Sequence, residues 1–132
     1  MGMLLDDFVA GQVFSSPTMA LESEVVASFP DELGTGSTVA SAMAVASLTM
    51  RLIVESGFRP EGGIMGAGIE ELEWPHAARI GDRLRLESEV LEVRRSQKRP
   101  EKGLLRVRNR TLDESGRVVQ SMISTVVVPT GR

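Results

Sequence analysis

Residues 62–103 read GGIMGAGIEELEWPHAARIGDRLRLESEVLEVRRSQKRPEKG, and this stretch indicates the fold class more strongly than any other. A glycine-rich lead-in opens onto a predicted strand, which ends before a Gly81-Asp82 turn. Residues 83–90 then alternate charged side chains with leucine, serine and valine, the period of a half-buried antiparallel strand. A basic loop follows, so the stretch predicts a strand, a turn, a long strand and a hairpin.

Two further strands are predicted after the basic loop. Gly103–Leu112 alternates leucine and valine with arginine, and Val118–Val128 is rich in β-branched residues and is closed by Pro129. Residues 113–116 (DESG) form a turn cluster between them. Strands joined by such short turns after a single helix predict an α+β fold with an antiparallel meander.

One long helix is predicted before these strands. Residues 39–56 read VASAMAVASLTMRLIVES, with Ser37 or Thr38 suited to the N-cap and Gly57 suited to the C′ position. At about 1.5 Å per residue this helix would be about 27 Å long. It is apolar nearly all round, which is typical of a buried helix. Shorter elements are predicted nearer the N-terminus, a strand at Val9–Phe14 and a helix at Glu22–Phe29.

Composition and charge limit the possible functions. The 132 residues are expected to form one domain, 1–132, and the apolar content of 42% is ordinary for a globular protein. The chain has no cysteine and one histidine, His76, which excludes disulfides and sites built from cysteine or several histidines. A net charge of -3 argues against nucleic acid as a partner. Because no signal peptide or membrane span is predicted, we expect a cytoplasmic protein.

In combination, these features resemble the MaoC-like dehydratases and (R)-specific enoyl-coenzyme A hydratases. The resemblance rests on the glycine loop and helix start at residues 34–43 (GTGSTVASAM), the Gly81-Asp82 turn and the basic hairpin at residues 95–103. It implies the hot-dog fold, in which an antiparallel sheet wraps around one long central helix. It also implies a homodimer that takes acyl thioesters of coenzyme A or of an acyl carrier protein. Coenzyme A would be part of the substrate, with no separate cofactor and no metal.

One part of the family's pattern is missing. Active hydratases of the family carry an Asp and then a His, separated by a Pro-containing spacer, just before the glycine loop. Here residues 29–33 (FPDEL) pass directly into Gly34, and the segment contains no histidine. Adding water to an enoyl thioester requires a base and an acid. We therefore expect a shortened, degenerate catalytic loop with Asp31 as the candidate catalytic residue.

The resemblance also indicates two groups of substrate-binding residues. Backbone N–H groups at the loop and helix start would face the thioester oxygen. These positions are Gly36, Ser41 and Ala42. Cations of the hairpin suit the phosphates of coenzyme A, because guanidinium groups match phosphate geometry. The candidates are Arg95, Lys98 and Arg99, for which a solvated hairpin tip is the alternative interpretation.

The sequence is compatible with three functions. The first is an enoyl-thioester hydratase or dehydratase, a lyase, that uses Asp31. The second is a non-catalytic relative that binds acyl-coenzyme A. The third is a hot-dog thioesterase, which commonly carries an acidic residue on the central helix or just before it, whereas this helix has none before Glu55. His76 is expected to be structural, and Met43 and Met50 are expected to line the core, although an acyl tunnel would use the same residues.

Overall fold

A computed structural model describes residues 2–24 and 42–131, which form an antiparallel sheet packed on one helix. The elements follow in chain order: a 3-10 helix (Leu5–Asp7), β1 (Val13–Ser15), β2 (Met19–Ala20), α1 (Ala42–Glu55), β3 (Met65–Glu73), β4 (Arg83–Arg95), β5 (Lys102–Leu112) and β6 (Val118–Pro129). The α+β arrangement predicted from the sequence is confirmed. Most of the predicted Glu22–Phe29 helix and the start of the long helix lie outside the described residues.

The strands lie in the order β1-β4-β5-β6-β3, and β2 pairs with β4 beside β1. All of these pairings are antiparallel. The three long strands β4, β5 and β6 form consecutive hairpins, as the alternating sequence predicts. β3 precedes them in the chain and pairs with β6, so it lies at the edge of the sheet. No helix within the described ranges is long and apolar enough to cross a membrane.

The first strand differs from the prediction. We expected Val9–Phe14, but β1 pairs with β4 only from the Val13↔Glu89 register onward. A turn lies at residues 10–11, where Gly11 has a φ of 93° and donates its N–H to the carbonyl of Val90. Glycine reaches this left-handed region without steric strain. The predicted strand was therefore placed too early.

One side of α1 packs on the inner face of the sheet. The buried helix residues are Ala44, Val45, Leu48, Thr49, Leu52 and Ile53. The opposite side is not covered, since Met43, Met50 and Val54 are 57%, 51% and 60% exposed. The prediction of a helix buried all round was wrong for this side, and so was the placement of Met43 and Met50 in the core. A single sheet can bury only one face of a helix.

A serine side chain forms hydrogen bonds at the C-terminal end of α1. Ser56 is buried, and its hydroxyl donates to the carbonyl of Ile53 at 2.7 Å. The same oxygen accepts the N–H of Phe58 at 3.2 Å. Gly57 does not take a positive φ, so its predicted role as a C′ glycine was wrong. The Ile53 carbonyl at the helix end therefore accepts both the backbone N–H of Ser56, at 3.2 Å, and the Ser56 hydroxyl.

A buried hydroxyl pair fixes α1 against the centre of the sheet. Thr49 on α1 and Thr111 on β5 are both fully buried, with their Oγ1 atoms 2.7 Å apart. Thr49 donates its hydroxyl hydrogen to the carbonyl of Val45, so Thr111 is the donor in this pair. Both groups are satisfied, which removes the cost of burying them and gives the helix one preferred position along β5.

Three phenylalanines hold the N-terminal segment on the core. Phe8, Phe14 and Phe58 lie with ring centroids 5.5 to 6.0 Å apart in tilted and edge-on arrangements. Such pairs are worth about 0.5–1.5 kcal/mol beyond the area that they bury. Nearby, a Cβ at residue 103 would collide with the Leu5 side chain and, at 2.9 Å, with the backbone carbonyl oxygen of Arg94. Glycine is therefore required at this position of β5.

The outer face of the sheet is charged and faces solvent. Glutamates of β3 and β4 flank arginines of β5, with Arg108–Glu89 at 3.9 Å, Arg106–Glu92 at 4.0 Å and Arg106–Glu70 at 3.4 Å. These side chains are about 35–54% exposed, and pairs of this kind each contribute about 0–1 kcal/mol. The charged side chains of the outer face are paired with one another and hydrated. An apolar ligand is therefore expected on the inner side of the sheet.

Asp113 organises the turn between β5 and β6. Its Oδ1 accepts the Ser115 hydroxyl at 2.8 Å and the N–H groups of Ser115 and Arg117 at 3.0 and 2.9 Å. Its Oδ2 accepts Nε of Arg117 at 3.0 Å. These bonds, above all the one from the Ser115 hydroxyl, favour the ionised carboxylate and lower the pKa of Asp113 to about 2, although burial opposes the shift.

We expect Asp113→Asn to lower the free energy of unfolding at pH 7 by about 1–3 kcal/mol, because hydrogen bonds to a charged acceptor contribute about that much. The folded pKa lies below the unfolded value of about 3.9, so the contribution is present above that pH. It is lost as pH falls from about 4 to 2. Urea unfolding of both proteins across pH 2–7 measures the difference, which should shrink toward zero at pH 2. A difference that stays constant over this range contradicts the argument. Glu114→Gln, a change at an exposed neighbouring carboxylate, serves as the control.

Candidate functional site

An apolar cavity of about 430 Å³ lies on the inner side of the sheet, between the C-terminal half of α1 and strands β3 and β6. Met50 and Ile53 line it from the helix, and Phe58 lines it from the loop that follows. Met122 and Val126 line it from β6. Its volume lies within the range of about 300–1,000 Å³ that is usual for small-molecule sites.

Two glycines of β3 widen this cavity. Gly66 and Gly68 both line it, and a Cβ built on either would meet no atom within 4 Å. Neither has a positive φ, and the register of β3 with β6 shifts between them, an irregularity of the kind at which glycine is common. Glycine inside a strand is normally unfavourable and often marks a bulge or the close approach of a ligand or of another backbone. The two missing side chains leave the space between α1 and β3 open.

A row of hydrogen-bonded polar side chains crosses the inner face beside the cavity. Ser88 on β4 donates its hydroxyl to Asn109 Oδ1 on β5 at 2.7 Å. Asn109 Nδ2 in turn donates to Ser124 Oγ on β6 at 2.9 Å. Ser88 and Asn109 are 1% and 2% exposed, and Asn109 and Ser124 both line the cavity. The lining is therefore apolar except for one oriented polar group.

No titratable side chain is among the described residues that line the cavity. His76 lies outside it and is exposed, with Nδ1 3.1 Å from the carbonyl oxygen of Val118. Since a carbonyl only accepts, this nitrogen carries the hydrogen. In residues 2–24 and 42–131, no group of three metal-ligating side chains comes together. The cavity suits an apolar group and holds no acid or base in its described lining.

The basic hairpin forms a separate open hollow of about 430 Å³, whose lining includes Arg94, Arg95 and Lys98. The guanidinium of Arg95 also binds both carboxylate oxygens of Asp6, each at 3.1 Å. Lys98 has no ion pair in the described part of the chain. Arg99 donates its backbone N–H to Ser96 Oγ and is not part of the lining. The structure thus brings Arg95 and Lys98 together, adds Arg94, and leaves Arg99 beside the hollow.

The other predicted site residues lie between positions 31 and 42 of the sequence. Asp31, Gly36 and Ser41 lie outside the described residues. Ala42 is the first described residue of α1, is half-buried and does not line the cavity.

Sequence reasoning missed the residues that shape the cavity. Gly66 and Gly68 belonged to the glycine-rich lead-in, but they lie inside β3 and line the cavity. Asn109 and Ser124 were not singled out as site residues either. Their signal was a polar side chain at an inward-facing strand position, where leucine or valine is usual.

No family model matches the sequence, and no curated protein is similar to it at a significant level. Solved structures do match. A MaoC-like dehydratase from Rhodospirillum rubrum is 33% identical, with 99% of each chain covered and a TM-score of 0.88. A protein of Mycobacterium tuberculosis with a double hot-dog fold is 20% identical, with 98% of this chain and 45% of that chain covered and a TM-score of 0.79.

An unliganded R-hydratase from Pseudomonas aeruginosa is 18% identical, with 98% of this chain and 88% of that chain covered and a TM-score of 0.73. This likeness and the likeness to the M. tuberculosis protein establish the hot-dog fold. The 33% identity to the R. rubrum protein extends over 99% of both chains and establishes the family. The chain belongs to the MaoC-like dehydratases, as its glycine loop, Gly-Asp turn and basic hairpin suggested.

Proposed function

We propose that this protein binds acyl thioesters and holds the acyl chain in the cavity between α1 and β3. The observation that carries the proposal is an apolar cavity of about 430 Å³ that is widened by Gly66 and Gly68. Transfer of each CH₂ group from water into such a cavity contributes about 0.8 kcal/mol. Membership in a family of dehydratases, and the fold shared with an R-hydratase, support an acyl group as the occupant.

The basic hairpin is proposed to bind the phosphates of the coenzyme A part of the substrate. Lys102, at the end of the hairpin, pairs with Pro129, three residues along β6 from the cavity residue Val126. At about 3.4 Å per residue this separation is about 10 Å, within reach of the long arm that joins a thioester to its phosphates. Lys98 and Arg94 supply cations without ion pairs in the described chain, and Arg95 and Arg99 lie beside them. Acyl carrier protein is the alternative carrier.

Gly66→Val tests the position of the acyl chain. Its side chain would enter the cavity, so affinity for octanoyl-coenzyme A should fall at least tenfold, while affinity for free coenzyme A should not change. Excluding a few CH₂ groups removes about 2–3 kcal/mol, and 1.4 kcal/mol corresponds to tenfold. Isothermal titration calorimetry gives both values.

Ala67→Val is the matched control, because Ala67 lies between the two glycines but does not line the cavity. The proposed site is contradicted if both substitutions weaken octanoyl-coenzyme A binding equally, or if neither substitution weakens it. Weakened binding of free coenzyme A by Gly66→Val would indicate a general distortion of the fold and would also count against it.

The chemistry is proposed to be weak or absent, with a shortened and degenerate catalytic loop. The described lining of the cavity holds no acid or base, and the only histidine of the chain, His76, binds Val118 outside it. A hydratase or dehydratase is the second candidate, and the 33% identity to a MaoC-like dehydratase favours it. In that case Asp31 is the proposed general base. General-base catalysis typically raises a reaction rate by about 10²–10⁴-fold.

The second candidate predicts that the wild-type protein hydrates crotonyl-coenzyme A and that Asp31→Asn lowers the rate by about 10²-fold or more. Loss of enoyl absorbance measures the reaction, and Glu32→Gln is the control. No hydration by the wild type, together with intact binding of the same thioester, rejects the hydratase and leaves the binding protein. Release of free thiol instead would identify a thioesterase.

We also propose that the protein is a homodimer joined along β3. This nine-residue edge strand is exposed at every position, and its apolar side chains include Met65, Ile69 and Leu72 at 57%, 56% and 40% exposure. Trp74 follows at 40%. An exposed, long and apolar strand edge is a template for pairing with another chain. A second copy there would place the cavity at the subunit boundary.

Leu72→Lys combined with Met65→Lys should convert the dimer to a monomer, because two desolvated ammonium groups would be required at the interface. Sedimentation velocity should give twice the chain mass of 14.3 kDa for the wild type and the chain mass for the variant. Val9→Lys is the control, since Val9 is 61% exposed outside β3. A monomeric wild type, or a dimer that survives the double substitution, contradicts the proposed interface.

A further inference from the structure

The guanidinium of Arg95 in the basic hairpin is bound by a carboxylate from the N-terminal segment. Its Nη2 lies 3.1 Å from both Oδ1 and Oδ2 of Asp6. Arg95 also lines the hollow of the hairpin, together with Arg94 and Lys98. Neither Arg94 nor Lys98 forms an ion pair with any residue that the structure describes. Arg95 is therefore the cation of this lining whose charge is already compensated.

The backbone on both sides of Asp6 is anchored beside the hairpin. Leu5 is 1% exposed, and its side chain packs closely against Gly103 at the start of β5. On the other side, Asp7 Oδ2 accepts the N–H of Leu4 at 2.8 Å and thereby closes the 3-10 helix. A group that is tethered next to its partner binds at a high effective concentration. The fold thus keeps a carboxylate within reach of the hairpin cations.

The contact between Asp6 and Arg95 has the geometry of a replaceable ion pair. A single guanidinium nitrogen serves both carboxylate oxygens, instead of the two parallel N–H···O bonds of a fork. The side chains of Asp6 and Arg95 are 75% and 56% exposed, and ion pairs between exposed groups are weak. A phosphate can accept the full fork from an arginine. The carboxylate is therefore a competitor that an incoming phosphate has to displace.

We propose that Asp6 is a specificity-determining residue, which limits the preference of the protein for thioesters that carry several phosphate groups. The inference rests on the proposed binding of coenzyme A phosphates by the hairpin. While Asp6 occupies Arg95, a ligand meets the uncompensated charges of Arg94 and Lys98, and it reaches Arg95 only by breaking the ion pair. This competition weakens the binding of a coenzyme A thioester more than that of a thioester without phosphates.

The test compares octanoyl-coenzyme A with octanoyl-pantetheine, which has the same thioester and no phosphate, by isothermal titration calorimetry at low ionic strength. Asp6→Asn should tighten the binding of octanoyl-coenzyme A about two- to fivefold, the range expected when one exposed ion pair no longer competes. It should leave the binding of octanoyl-pantetheine unchanged. The gain should disappear at about 1 M salt, where the Debye length falls to about 3 Å.

Glu101→Gln is the matched control for charge. It removes one negative charge from the same hairpin, at an exposed residue that forms no ion pair within the described ranges. Its effect on octanoyl-coenzyme A binding should be smaller than that of Asp6→Asn. Adding Arg95→Gln to Asp6→Asn should remove the gain, because the cation that Asp6 releases is then missing. An unchanged melting temperature of Asp6→Asn shows that the variant is folded.

The inference is overturned if Asp6→Asn gains no affinity for octanoyl-coenzyme A, and binding of octanoyl-coenzyme A by the wild type then still upholds the proposed function. An equal gain for octanoyl-pantetheine, an equal gain from Glu101→Gln, or a gain that survives Arg95→Gln or 1 M salt also overturns it. Failure of both thioesters to bind the wild type and Asp6→Asn overturns the proposed function and this inference with it.

Discussion

The structure depends on an unequal burial of α1. One side of this helix packs on the inner face of the sheet, where Leu48 and Leu52 are 5% and 0% exposed and each contributes about 1.5–3 kcal/mol through burial. The other side keeps Met43, Met50 and Val54 in contact with solvent. The apolar surface of the helix is therefore larger than its own sheet can cover. Of the residues on the uncovered side, Met50 lines the cavity.

Several residues that line the cavity are unusual for the inner face of a sheet. Elsewhere the strands follow the usual alternation of buried apolar and outward charged residues, and Gly103 is required by the close packing of Leu5. At the cavity, a Cβ on Gly66 or Gly68 would meet no atom within 4 Å, and Asn109 stands where an aliphatic residue would normally face the core. Residues that break a local rule without a structural gain are expected at functional sites. This contrast separates the proposed binding region from the scaffold that supports it.

Much of the fold was predictable because it is encoded in local patterns. The alternation at residues 83–90 and in the two following strands predicted the meander, and the apolar segment predicted the helix. The errors arose where contacts beyond the local sequence determine the structure. Gly57 was predicted to end the helix as a C′ glycine, but the buried Ser56 side chain makes the hydrogen bonds at the helix end. Likewise, only the finished sheet determines that Met43 is uncovered.

The site was less predictable than the fold, for a physical reason. Asn109 and Ser124 meet through the pairing of β5 with β6, and the Arg95–Asp6 ion pair joins residues 89 positions apart. No local pattern specifies such contacts. The basic hairpin was visible in the sequence as a run of positive charge. The sequence does not show that Arg95 forms an ion pair with Asp6, whereas Lys98 has no ion pair among the described residues. The absence of a histidine from residues 29–33 was visible in the sequence itself.

A crystal structure of the protein with bound octanoyl-coenzyme A tests the central claim most directly. The account predicts that the acyl carbons lie between α1 and β3, in contact with Gly66 and Met122, and that the phosphates lie near Lys98. An acyl chain bound elsewhere would contradict it. So would a cavity filled by side chains of a second copy, which would leave no room for the ligand.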